Sequence, residues 1–162
     1  MLISAIYIAL MVLANMTILW FGPWFSPINA FLLIGLDMVL RDKLHDSWQG
    51  NNLYLRMFGL ISVAAIVTFM LNPASLTIAV ASVSAFVAAI LLDTVIYNFL
   101  IKKKWLIRSN VSNVGSSLAD SIVFPTVAFG SIMPSIILMQ FFAKVAGGFL
   151  WSLVIKKLGG LK

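Results

Sequence analysis

The sequence predicts an all-α polytopic membrane protein, with six transmembrane helices and both termini cytoplasmic. Three observations predict it. First, 62% of the 162 residues are hydrophobic and the mean hydropathy is +1.06. Second, only 10% are charged, with no Glu at all, against about 25% in soluble domains. Third, six apolar stretches follow one another along the chain, and a spanning helix needs about 20 such residues. A soluble enzyme, a nucleic-acid-binding domain and a disordered chain are excluded, because there is too little polar surface to hold the chain in water. No cysteine is present, which removes disulfides and thiolate chemistry. One histidine, His45, and no Glu make a zinc or di-iron site improbable, and no cofactor is expected.

The helices are expected at 2–21, 28–44, 53–71, 75–101, 109–129 and 132–156, in one transmembrane domain over 1–162. The second is the weakest, read as tilted, short or partly re-entrant. Gly22-Pro23, Gln49-Gly50-Asn51-Asn52, Asn72-Pro73, Lys102-Lys103-Lys104, and Gly130 with Pro134 separate them. Gly admits positive φ and Pro lacks the helical N–H, so each breaks a helix. The first stretch is not read as a signal peptide, since the first basic residue is Arg41.

Charge sets the orientation. Arg41, Lys43 and Arg56 flank the second loop. Lys102, Lys103, Lys104 and Arg108 fill the fourth, and Lys156, Lys157 and Lys162 follow the last helix. Ten of the eleven cations thus lie on one side, which the positive-inside rule makes cytoplasmic. The net charge of +6 therefore calls for no nucleic-acid partner. Trp20, Trp24, Trp48, Trp105 and Trp151 stand near helix ends, where amphipathic rings anchor at the bilayer interface.

Ionisable groups inside the bilayer cost roughly 2.5–3.5 kcal/mol each on insertion scales. Asp37, Asp93, Asp120 and Lys144 are therefore site candidates. Asp120 lies twelve residues from Arg108, and Lys144 twelve from Lys156. At about 1.5 Å per residue both sit about 18 Å deep. They share the membrane middle, as a site or as a structural ion pair. Asp93 reads equally as an uncharged core acid, and Asp37 as an i,i+4 partner of Arg41.

The fifth helix is the most polar. Asn113, Ser117, Asp120 and Phe124 recur on one face, which suits a wet cavity better than plain packing. Pro125 leaves the Ser121 carbonyl without its helical donor, so backbone can join the site. Ala81, Ala85 and Ala89 form a packing seam that Asp93 and Tyr97 continue. Gln140 stands one turn before Lys144, and Gly147-Gly148 follow as a packing or hinge element. Asn15 is a lone polar residue deep in the first helix. Leu36-Asp37 and Leu92-Asp93 hint at a three-plus-three repeat.

Several of these segments also resemble a known family. They are Ala81-Ser82-Val83-Ser84-Ala85-Phe86-Val87, Leu92-Asp93, Val95-Ile96-Tyr97, Trp105 to Asn110, Asp120-Ser121-Ile122-Val123-Phe124 and Ala128-Phe129-Gly130. With Ala14-Asn15, Leu36-Asp37, Leu40-Arg41-Asp42, Gln140 and Lys144, they resemble the VUT family of queuosine-precursor transporters. The resemblance implies a six-helix importer of 7-deazaguanine bases, preQ0 or preQ1, in the bacterial inner membrane. Relatives usually carry Glu where this chain has Ile90.

The chemistry suits such a base. One carboxylate can accept its N1–H and amino group together, Lys144, Gln140 or an Asn can donate to its O6, and Phe124 or Tyr97 can cover its face. The substrate-binding residues expected are Asp120, Lys144, Asn113, Asp93, Gln140, Asn15, Ser117, Phe124, Tyr97 and Asp37. The partners expected are a small purine-like base and the lipid bilayer, and six small helices also suit a homodimer.

Two alternatives remain. One is the substrate-binding membrane subunit of an energy-coupling-factor importer, docking through Ala5 and Ala9. The other is a non-transporting structural membrane protein. An intramembrane enzyme has no supporting residue pattern.

Overall fold

The computed structural model describes residues 2–157, and of Trp105 the backbone alone. Lys162 in the charge reading and the Trp105 ring in the aromatic reading lie outside the described residues.

Six helices run antiparallel in sequence, and no strand occurs among the described residues. Helix α1 is Leu2–Phe21, α2 Pro23–Trp48, α3 Leu53–Leu71, α4 Pro73–Phe99, α5 Trp105–Phe129 and α6 Pro134–Lys157. All except α5 are long and apolar enough to cross a bilayer. Helix α5 has the length, at 25 residues, or about 38 Å. Its hydropathy is diluted by Ser109, Ser112, Asn113, Ser116, Ser117 and Ser121, every one of them buried. Its outer face is Ile107, Val111, Val114, Leu118 and Ile122, all exposed and all apolar. A polar interior beneath a lipid-compatible exterior is how a spanning helix carries such a sequence.

Helix α2 differs most from expectation. It is neither short nor re-entrant but 26 residues long. It opens with a 3-10 turn at Pro23–Phe25, and a π-helical segment spans Ala30–Ile34. Such wide turns inside α-helices recur at functional sites. The π segment lies against α6. A Cβ on Gly35 would fall 2.7 Å from the Gly147 carbonyl carbon, and one on Gly147 would collide with the Phe31 carbonyl. Gly147 is therefore a packing residue that lets two backbones touch. Gly148 is buried too, but a Cβ there would meet nothing within 4 Å.

Helix α4 ends at Phe99, two residues early, and α6 starts at Pro134, where a missing N–H costs nothing. Gly130, at φ 66°, ends α5 in the left-handed region.

The apolar core joins α1 to α4. Tyr7, Met11, Leu44, Met57, Ile61 and Phe86 pack together, with Ile90 against them. Ile90 thus serves apolar packing here. Asn15 ties this region together, its amide donating to Thr68 on α3 and its oxygen accepting from Ser82 on α4.

Candidate functional site

Between α1, α2, α4, α5 and α6 lies a cavity of about 70 Å³, where a single water needs only about 10–15 Å³. Helix α2 gives it Ser26, Asn29, Asp37 and Arg41. Helix α5 gives Ser116, Ser117, Asp120 and Phe124, and α6 gives Gln140 and Lys144. Met11 and Phe86 close the apolar side. The i, i+3, i+4 spacing on each helix turns these side chains inward together.

Lys144 organises one wall. Its ammonium is ion-paired with Asp120 Oδ2 and donates to the Ser121 hydroxyl at 3.2 Å and to Gln140 Oε1 at 2.9 Å. The three donors of an ammonium are thereby all used. Gln140 passes the chain on, its amide donating to the Ser26 hydroxyl on α2. It is the Ser121 hydroxyl, rather than the carbonyl that Pro125 frees, that meets Lys144.

Below the cavity sits a second cluster. Arg41 Nη2 lies 3.3 Å from Asp93 Oδ1 and 4.0 Å from Asp42 Oδ1, and donates to Asn113 Oδ1 and the Ser116 hydroxyl, each at 3.2 Å. Asp42 Oδ2 accepts from the Ser109 hydroxyl and from Asn113 Nδ2 at 3.1 Å. Four side chains from three helices thus surround one guanidinium, whose planar fork suits several acceptors.

A third cluster lies nearer the α2–α3 loop. Asp46 Oδ1 accepts from Tyr97 at 2.7 Å and from Arg108 at 3.2 Å. Arg108 also lies 4.6 Å above the Tyr97 ring, a cation–π contact.

The structure therefore divides the expected site residues. Asp37, Ser117, Asp120, Phe124, Gln140 and Lys144 share the cavity. Asp93 and Asn113 belong to the Arg41 cluster beneath it, Tyr97 is held by Asp46 and Arg108, and Asn15 cross-links helices. Two readings are corrected. Arg41 is no loop cation: it is 5% exposed, inside the bundle. Nor does it pair with Asp37, because Asp93, Asn113 and Ser116 hold it instead. Asn29, Ser26, Arg41 and Asp42 are polar groups of the interior that sequence reasoning missed. The Asp37, Arg41, His45 periodicity, four residues apart, was the available signal.

The family model described as "Putative vitamin uptake transporter" matches residues 2–156. The chain belongs to the vitamin uptake transporter family. No curated protein and no solved structure shows significant similarity to it. The vitamin uptake transporter family is a family of transporters and not of enzymes, and the five helices of this chain that are long and apolar enough to cross a bilayer accord with a multi-pass membrane protein. In a transporter of this family a buried polar cavity at mid-helix depth is the natural candidate for the substrate site.

Proposed function

We propose that this chain imports a queuosine precursor, a 7-deazaguanine base such as preQ0 or preQ1, through the cavity between α2, α5 and α6. The observation that carries the reading is the Asp120–Lys144 pair, set with Gln140 and Phe124 in the lining of the cavity. Asp120 Oδ1 is left to accept from the N1–H and amino edge, Gln140, with one amide N–H given to Ser26, has a second to donate to O6, and Phe124 offers a ring to its face. The bacterial inner membrane, with both termini cytoplasmic, completes the proposal. Lys43, Arg56, Lys102, Lys103, Lys104, Lys156 and Lys157 all adjoin helix ends on one side. Uptake of labelled preQ0 and preQ1, in cells that make neither, tests it. Accumulation that requires the chain supports the reading, and none for either base refutes it.

A second reading is favoured by one feature. Ala5 and Ala9 are exposed and line an apolar groove between α1 and α3. That suits the substrate-binding subunit of an energy-coupling-factor importer. Uptake that appears only when an ATPase and scaffold are co-expressed would select it.

A further inference from the structure

We propose that Asp37 is the counter-charge for a protonated amine on the transported base, so that the cavity selects an aminated 7-deazaguanine over a neutral one. This rests on the base reading above.

The Asp37 carboxylate is 7% exposed and faces the cavity. Among the described residues nothing donates to it and no cation lies within 4 Å, and its Oδ1 is wholly enclosed without a partner. Buried polar groups are almost always hydrogen-bonded, and buried charges paired. An orphaned carboxylate at a cavity wall therefore marks where a ligand brings the missing charge and donors.

The protein's own cations do not pair with it. Two line the cavity, and both are engaged elsewhere: Lys144 with Asp120, Ser121 and Gln140, and Arg41, through Nη2, with Asp93, Asn113 and Ser116. Helices α1 and α4 add no charge to the wall. Counted over the cavity and the cluster beneath it, Asp37, Asp42, Asp93 and Asp120 face only Arg41 and Lys144.

A second acceptor without a donor lines the same cavity, about 12 Å away along α2. Asn29, on the same helix, donates its amide to the Ala14 carbonyl at 2.9 Å, which turns Oδ1 the other way. That oxygen is buried without a donor, and Asn29 lines the same cavity. Asp37 and Asn29 thus each turn an acceptor without a donor to the cavity. An ammonium carries three donors and the missing positive charge. A nitrile in its place is an acceptor alone and would face a carboxylate.

The test is equilibrium binding to the full chain in nanodiscs, with two probes that differ only there: 7-aminomethyl- and 7-cyano-7-deazaguanine. The wild type is expected to bind the aminomethyl base about tenfold tighter or more, as one charge-assisted bond implies. Asp37→Asn should abolish that preference by weakening the aminomethyl base alone, and Asp37→Glu should keep it. Asp37→Ser replaces Asp37→Asn if the latter does not fold. Equal weakening of both bases would place Asp37 on their shared edge and overturn the proposal, as would a wild type without preference. Binding of neither base would refute the base reading itself, and this proposal with it.

Discussion

Arg41 on α2 lies 3.3 Å from Asp93 on α4, joining two positions 52 residues apart in sequence. Asp42 and Asn113 complete the contact, so the guanidinium is the single cation of a buried cluster holding two carboxylates. Removing one partner of such a group leaves an uncompensated charge, at a typical cost of about 3–5 kcal/mol. Arg41→Gln should therefore lower stability by that order in detergent unfolding. Arg41→Gln with Asp93→Asn should recover a large part of it. Strictly additive losses would mean that the two residues act independently.

The contact between α2 and α6 makes a second prediction. Gly35→Ala sets a Cβ 2.7 Å from Gly147 backbone, and overpacking of this kind costs about 1–3 kcal/mol. Gly148→Ala meets no atom within 4 Å and gains up to about 1 kcal/mol of helix propensity. Melting temperatures of the two variants should move in opposite directions. Equal shifts would contradict the close packing.

Most of the fold was legible because apolar runs and their breaks are local properties. Helix α2 was the exception. Its Arg41 reads as a loop charge, since a charge beside an apolar run ordinarily marks its end. Here Asp93 neutralises it, and Asn113 and Ser116 accept from it, all delivered by α4 and α5 from more than 45 residues away. Depth arithmetic brought Asp120 and Lys144 together because both lie twelve residues from a basic anchor. It could not separate Asp93 and Tyr97 from the cavity, since rotation about a helix axis and the choice of partner are set by packing. That the Asp37 carboxylate and Asn29 Oδ1 lack donors is a property of three dimensions alone.

The Asp120–Lys144 pair predicts coupling. Asp120→Asn leaves Lys144 buried with only neutral partners, Ser121 and Gln140. The loss should fall below the 3–5 kcal/mol typical of fully buried pairs, because the Asp120 side chain is 24% exposed. Adding Lys144→Gln should restore the melting temperature. If the double variant is no more stable than Asp120→Asn, the pair does not act as a unit.

Orientation is tested separately. Tags at either end should be accessible only from the cytoplasmic side of intact cells, as the cations flanking α2–α3, α4–α5 and the end of α6 require. Labelling of either end from outside would reverse the topology.

Carriage of the base by the cavity itself is tested by entry of labelled 7-deazaguanine base into proteoliposomes holding the purified chain alone, wild type against Asp120→Asn at equal protein density. The wild type should load the vesicles. Asp120→Asn should lose about tenfold or more, equivalent to about 1.4 kcal/mol of binding to the moving base. Vesicles that stay empty with the wild type, or an Asp120→Asn rate close to the wild-type rate, would contradict the account.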